Sequence, residues 1–172
     1  MSDDLETLRV KIDQLDEQIV KLLNQRANVV VEVGKFKQQN NTPIYAPDRE
    51  KIVLEKIAKL NKGPLPDRCL RAVYRELMSG SFALERPLRI GFLGPEGTFS
   101  HQAVVTKFGS SVGYVPLTDI RSVFEEVARG HIDYGMVPVE NSIHGGVIDT
   151  LDAFMESSAR ICAEVLITIH HN

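Results

Sequence analysis

The sequence predicts a helical domain over residues 1–86, followed by an α/β region over residues 87–172. Two observations predict this fold class. From Leu5 to Phe36, apolar residues recur at alternating steps of three and four, which is typical of the buried seam of a long helix. After Pro87 the pattern changes, and strand-like stretches alternate with amphipathic ones, which indicates a mostly parallel sheet with covering helices.

The helical domain is expected to contain three helices. The first runs from about Asp4 to about Lys37, contains no proline, and at 1.5 Å per residue would be roughly 50 Å long. Because that is too long for a small monomeric bundle, we expect a second chain to cover part of it. The second helix is predicted from about Pro47 to Asn61, and the third from about Pro66 to Glu85.

The α/β region is expected to alternate strands and helices along the chain. The predicted strands are "LRIGFLG", "SVGYVPL", "IDYGMVPVE" and "ARICAEVLITI". The predicted helices are "TFSHQAVVTKF", "DIRSVFEEVARG" and "GGVIDTLDAFMES". This order predicts parallel strands, whose carboxyl ends meet at one edge of the sheet.

Composition narrows the class of function. The formal charge of −3 over 172 residues gives no reason to expect a nucleic acid or an anionic membrane as partner. Cys69 and Cys162 match no metal or redox spacing, so we expect reduced structural thiols and no metal. The acidic start is not that of a signal peptide, and no apolar run approaches the roughly 20 residues of a membrane span, so a cytoplasmic protein is expected.

One cation interrupts the apolar seam of the first helix. The seam comprises Leu5, Leu8, Ile12, Leu15, Ile19, Leu22, Arg26, Val29, Val33 and Phe36. Burying a guanidinium without a partner costs on the order of several kcal/mol, so Arg26 must contact an anion. That anion could be a carboxylate of the same bundle or a bound ligand. Lys37 favours the ligand, because it lies within roughly 20° of the same helix face and can reach toward the same site.

Other polar residues occupy positions that could complete such a site. Arg9 is about 25 Å from Arg26 along the helix, so it could contribute only from a second, antiparallel chain. Arg49 and Glu50 lie in the first turn of the second helix. Ser81 and Glu85 are four residues apart on the third helix and share a face. Each of them alone is more typical of a surface charge or a small packing residue.

Three stretches carry a family resemblance: "LRVKIDQLDEQIVKLLNQRANVVVEVGKFK", "DREKIVLEKI" and "RAVYRELMSGSFALE". Together they resemble the all-helical chorismate mutase domain, over residues 1 to about 86. The resemblance implies a homodimer of interlocked first helices, in which each site takes one arginine from the partner. At Ala46 some members carry an aspartate, so a side-chain contact from that position is lost. The positions that match the family's substrate-binding residues are Arg9 (from the partner), Arg26, Lys37, Arg49, Glu50, Ser81 and Glu85.

The resemblance also implies a reaction, the rearrangement of chorismate to prephenate without cofactor or metal. Arg26 and the partner's Arg9 would bind the two substrate carboxylates, and Lys37 would donate to the breaking ether. Glu85 would have to be protonated to donate a hydrogen bond there, so activity should fall as pH rises. The catalytic residues would therefore be Arg26, Lys37 and Glu85. Glu50 would orient a substrate hydroxyl, and Ser81 would bond a carboxylate.

Two loops of the second half lie where open sheets bind ligands. "GPEGTFS" connects a predicted strand to a helix, and "PVENSIHGGV" follows another predicted strand. Neither is a phosphate-binding P-loop, and the histidines lack metal-ligand spacing. The candidate residues here are Thr98, Ser100, Glu140, Asn141 and Ser142.

Together the two loops resemble the start of the prephenate dehydratase family. That resemblance implies part of the first lobe of a two-lobed, periplasmic-binding-protein-like domain that converts prephenate to phenylpyruvate. The family's threonine-arginine-phenylalanine motif is absent from the sequence, so we expect an incomplete and inactive dehydratase site. A chain with both parts resembles the bifunctional chorismate mutase/prephenate dehydratase family of phenylalanine biosynthesis.

One alternative without catalysis stays open. The first half could be a helical dimerisation arm that carries part of a small-acid-binding lobe and performs no turnover. Such an arm explains the apolar repeat, but it does not explain Arg26 in the seam with Lys37 on the same face. Substituting Arg26 separates the two interpretations.

Overall fold

The structure, a computed structural model, describes residues 2–141 and 145–168, with the side chains described from residue 4 onward. Its first part consists of three helices: α1 (Ser2–Gln39), α2 (Pro47–Leu60) and α3 (Asp67–Glu85). Proline at the first position of α2 suits a helix start, because that position needs no hydrogen-bond donor. The sequence predicted all three helices to within two residues at each end.

The second part contains a parallel sheet of three strands in the order β2-β1-β3. The strands are β1 (Arg89–Leu93), β2 (Gly113–Leu117) and β3 (Tyr134–Met136). β1 pairs in parallel with both neighbours, with Gly91 opposite Val115 on one side and Gly135 on the other. A short antiparallel pair, β4 (Glu140–Asn141) with β5 (Gly145–Gly146), follows at the carboxyl end of β3 and was not predicted.

Two helices, α4 (Phe99–Phe108) and α5 (Ile120–Ala128), connect these strands, and a third helix, α6 (Ile148–Glu156), packs on α5. The Thr98 hydroxyl caps α4 by accepting a hydrogen bond from the His101 amide at 3.3 Å. The Asp119 carboxylate caps α5 by accepting from the Ser122 amide at 2.7 Å. The hydrogen bonds that the Asp119 carboxylate accepts lower its pKa, so this cap stays charged.

Three expectations for the second part were wrong. The stretch "ARICAEVLITI" forms no strand over its described residues 159–168. Ala163, Val165 and Ile167 are half-buried there and alternate with exposed residues, but no strand pairs with this segment. The strand predicted over "IDYGMVPVE" is shorter, and the helix predicted over "GGVIDTLDAFMES" begins only at Ile148, because Gly145 and Gly146 lie in β5.

The hydrophobic core of the sheet includes residues from both parts of the chain. Ile44 and Tyr45, from the connection between α1 and α2, are buried against Ile90 and Phe92 of β1. Ring contacts join Tyr45 to Phe82, Phe108 and Tyr134. The α1–α2 connection is therefore a structural element of the α/β region as well as of the helices.

The apolar seam of α1, in contrast, is largely exposed in the single chain. Leu8, Leu15 and Leu22 are 55%, 56% and 62% exposed, and Phe36 is 65% exposed. The expectation that the seam is buried is therefore not met within one chain. No helix in the described part of the chain has both the length and the apolarity that crossing a membrane requires.

Candidate active site

Two cations of α1 converge on one face of α3. Arg26 Nη1 donates to the Ser81 hydroxyl at 3.0 Å, and Lys37 Nζ lies 2.8 Å from Glu85 Oε2. Along α1 the two cations are about 16 Å apart at the backbone, whereas their partners are one helical turn apart, about 6 Å. The long side chains therefore reach toward each other, as their spacing in the sequence predicts. Both Ser81 and the Glu85 side chain are almost fully buried, at 8% and 7% exposed.

Arg26 has a hydroxyl partner but no anionic one. Within residues 4–141 and 145–168, no carboxylate lies within ion-pair distance of its guanidinium. The Ser81 hydroxyl donates in turn to the Leu77 carbonyl at 2.7 Å, so it presents its oxygen to Arg26. The first of the two partners that the sequence left open, a carboxylate of the same bundle, is therefore not found among the described residues.

Lys37 joins three elements. Its ammonium donates to Glu85 on α3 and, at 2.7 Å, to the Ile44 carbonyl in the α1–α2 connection. A lysine ammonium has three donors, so one remains for another acceptor. The Lys37 side chain is 18% exposed, which leaves that donor in a largely desolvated position, where its interactions are stronger than in water.

Glu50 faces the α/β region. Its Oε2 accepts from the Tyr45 hydroxyl at 3.3 Å and lies 3.1 Å from the ammonium of Lys107 on α4. Burial, followed by the Glu50 carboxylate, raises the pKa of Tyr45 well above its usual range. The phenol therefore stays protonated at neutral pH and remains a donor to Glu50.

Two of the predicted site residues lie apart from this cluster. Arg9 is exposed on the same helix and contacts Glu6 at 3.5 Å, about 25 Å along α1 from Arg26. Arg49 is exposed in the first turn of α2. Within one chain the structure therefore brings together Arg26, Lys37, Ser81 and Glu85, with Glu50 held near Tyr45.

Gly34 permits the close approach of α1 and α3 at this cluster. A Cβ built on this buried glycine would lie 3.1 Å from both Cα and Cγ of Glu85. From the sequence alone, a glycine inside a helix marks a weak point of α1. The missing side chain instead allows Glu85 to pack directly against the α1 backbone, one turn from Lys37.

We expect Gly34→Ala to stabilise the protein less than Gly80→Ala does. Alanine is favoured over glycine inside a helix by about 1 kcal/mol, so both changes gain helix propensity. At Gly34 the new methyl group crowds Glu85, whereas a Cβ at Gly80 meets no atom within 4 Å. Chemical denaturation of both variants measures the difference. Equal stabilisation would show that the contact with Glu85 tolerates a methyl group.

The candidate residues of the α/β region lie around the carboxyl end of the sheet. Thr98 caps α4 and also donates to the Pro95 carbonyl at 3.0 Å, so its hydroxyl holds the loop after β1. Ser100 is half-buried in the first turn of α4. Glu140 and Asn141 form β4 and are exposed. Ser142 lies outside the described residues.

Sequence reasoning missed the residues that connect this cluster to the α/β region. Tyr45 and Ile44 stand in a loop rich in asparagine and proline, where two adjacent large apolar residues were a usable sign of burial. Lys107 gave no signal, because a lysine in the last turn of a helix is ordinary. Both cysteines, Cys69 and Cys162, are free and exposed.

Comparison with known proteins covers almost the whole chain. A chorismate mutase type II family model matches residues 8–86, and a prephenate dehydratase family model matches residues 90–172. The bifunctional chorismate mutase/prephenate dehydratase of Aquifex aeolicus is 44% identical over 171 residues, which cover 97% of this chain and 47% of that protein. The protein of the same name from Stutzerimonas stutzeri is 46% identical over 176 residues, covering 99% of this chain and 48% of that protein.

Comparison with solved structures also gives a similar protein. It is a chorismate mutase from Thermus thermophilus, which is 32% identical, with a TM-score of 0.46, over 47% of this chain and 92% of that one. The chain spans about half the length of the curated relatives it matches, 47% and 48% for the two bacterial proteins above.

Proposed function

Because the chain belongs to the bifunctional chorismate mutase/prephenate dehydratase family, we propose that its helical domain, residues 1–86, rearranges chorismate to prephenate. The substrate is a dicarboxylate, so its site must supply cations in a desolvated place. The proposal rests mainly on the surroundings of Arg26. Its guanidinium contacts the buried Ser81 hydroxyl, one helical turn from the Glu85 that binds Lys37, and it has no carboxylate partner among the described residues.

The proposed mechanism needs only positioning and electrostatics. Arg26 binds one substrate carboxylate with two parallel hydrogen bonds. Ser81 adds a third when its hydroxyl proton turns from the Leu77 carbonyl to that carboxylate. Lys37 directs an N–H to the ether oxygen, on which negative charge develops as the bond breaks. Glu50 accepts from the substrate hydroxyl. Holding the substrate in its reactive conformation lowers the barrier further, since no nucleophile or proton transfer is required.

The contact between Lys37 and Glu85 has a consequence for this mechanism. Glu85 Oε2 accepts from the same ammonium that would donate to the ether oxygen. An ionised Glu85 therefore competes with the substrate for Lys37, and it has no donor of its own. A protonated Glu85, in contrast, would weaken the ion pair and offer its O–H to the ether oxygen as a second donor beside the Lys37 N–H.

We expect mutase activity to fall as pH rises and Glu85→Gln to flatten the profile. A carboxylate at position 85 has no hydrogen-bond donor, whereas the glutamine amide donates at every pH. The measurement is kcat/KM for chorismate over the pH range in which the protein stays folded. Glu55→Gln, on the exposed side of α2, should keep the wild-type profile. A wild-type rate that does not change with pH would contradict the role of Glu85.

We further propose that two chains form the catalytic unit. The exposed seam of α1 is continuous over many turns, and a second α1 that runs antiparallel would cover it. The same arrangement supplies the partner's Arg9, which is too far away in its own chain to reach the site of Arg26. The second substrate carboxylate would bind there. Two features support a homodimer: the exposed apolar surface of α1, and the need for a further cation to bind the second carboxylate of the substrate.

For residues 87–172 we propose the first part of a prephenate dehydratase lobe, of the periplasmic-binding-protein-like kind. The loops after β1 and β3 lie at the carboxyl ends of adjacent parallel strands, where open sheets bind ligands. Thr98, Ser100, Glu140, Asn141 and Ser142 are the candidates to contact substrate there. Within these 172 residues we expect no turnover of prephenate.

The test is to mix the purified 172-residue chain with chorismate and to follow prephenate and phenylpyruvate separately. Prephenate without phenylpyruvate supports the proposed mutase activity and the expected lack of prephenate turnover. Both products would show that a dehydratase site is complete in this chain or between two chains. Neither product, from a folded dimer, would favour the alternative of a binding module that performs no turnover.

A further inference from the structure

Lys107 of the α/β region contacts a proposed substrate-binding residue of the helical domain. It lies in the last turn of α4, and its Nζ is 3.1 Å from Glu50 Oε2 on α2. The two side chains are 21% and 15% exposed, so solvent screens this ion pair less than a surface pair.

Tyr45 binds the same oxygen. Its hydroxyl donates to Glu50 Oε2 at 3.3 Å, and its ring lies under the Lys107 ammonium, 5.8 Å from the centroid. Both contacts use Oε2. Among the described residues, no hydrogen bond or ion pair reaches Oε1. One oxygen of the carboxylate is thus held by the protein, and the other is left to accept from a ligand.

The groups that hold Glu50 are themselves fixed. Tyr45 is 4% exposed and is surrounded by rings of both parts of the chain. Phe108, which follows Lys107, is 4% exposed in the same core. The end of α4 lies against α3, where a Cβ at Gly109 would be 2.7 Å from Ser79 Cβ. Lys107 therefore approaches Glu50 from a helix that has little freedom to move.

We propose that Lys107 is a positioning residue of the mutase site. Together with Tyr45 it fixes Glu50 Oε2, so that Oε1 is oriented to accept the hydroxyl of the substrate. The α/β region thereby contributes to catalysis in the helical domain. This inference rests on the proposed function, because it assigns Glu50 to the substrate.

The first experiment compares Lys107→Met with Lys107→Arg in the full chain. Methionine keeps the length but removes the charge, so Glu50 loses its cation. We expect kcat/KM for chorismate to fall about tenfold, since small misplacements of a positioning group have effects of that order. Arginine should restore most of the activity. Lys62→Met, at an exposed loop position, is the matched control and should leave both activity and Tm unchanged.

A double-mutant cycle tests whether Lys107 acts through Glu50. Once Glu50→Gln has removed the carboxylate, adding Lys107→Met should lower kcat/KM less than about twofold, because coupled residues are not additive. Losses that multiply would overturn the proposal, as would an active wild type whose activity Lys107→Met does not change. Lys107→Gln replaces the methionine variant if that variant does not fold. A wild type without any prephenate formation would overturn the proposed function, and this inference with it.

Discussion

Arg26→Leu is expected to lower prephenate formation about a thousandfold while the helices stay folded. Arg26 is the cation that the fold places in an apolar seam, beside Ser81 and without a carboxylate among the described residues. Leucine suits the seam, so helix packing should not suffer, and the loss should fall on substrate binding alone. Steady-state kinetics, with circular dichroism and thermal melting on the same samples, measures both effects.

The same variant distinguishes an enzyme from a dimerisation arm. If Arg26 were purely structural, replacing a half-buried charge with leucine would be neutral or stabilising, and activity would persist. Arg71→Leu, at an exposed position on α3, is the control for the loss of one arginine. Arg26→Lys keeps the charge but loses the bidentate geometry, so we expect it to recover only part of the activity.

Arg9→Ala is expected to be as inactive as Arg26→Leu, and a mixture of the two variants is expected to regain activity. In a mixed dimer, one site combines the Arg26 of the first chain with the Arg9 of the second and is intact, whereas the other site lacks both. Random exchange makes half of the dimers mixed, so about a quarter of the wild-type activity should return. The assay is chorismate turnover after the two inactive proteins are unfolded and refolded together.

Each variant refolded alone is the control and should stay inactive. Recovery requires that Arg9 and Arg26 of different chains form one site, because neither variant contains both arginines. A mixture that forms dimers but stays inactive would show that Arg9 does not cross the interface. An Arg9→Ala variant with full activity would remove Arg9 from the site altogether.

Much of the fold was readable from the sequence because local signals were strong. The long apolar repeat predicts α1, and prolines mark the starts of α2 and α3. The first three strands and the helices after them follow from apolar stretches that alternate along the chain. The stretch 159–168 was wrongly predicted as a strand. Its apolar residues have the strand period, but a strand also needs a paired neighbour, and β3 is only three residues long.

The site was readable in part, for a related reason. Helical periodicity relates residues on one helix, so the shared face of Arg26 and Lys37 and that of Ser81 and Glu85 were predictable. Helical periodicity cannot show which helices pack against each other. That Gly34 packs on Glu85, and that Arg26 meets Ser81, depends on how α1 and α3 cross.

The sequence by itself determined the three long helices, the positions of the first three strands along the chain and the residue types of the proposed site. Only the tertiary structure decided that the α1–α2 connection enters the core of the α/β region and that Lys107 reaches Glu50. The physical reason is separation along the chain. Secondary structure and capping arise between residues a few positions apart. Glu50 and Lys107 are far apart in the sequence and meet through the packing of the two parts, in which Tyr45 lies between rings of both.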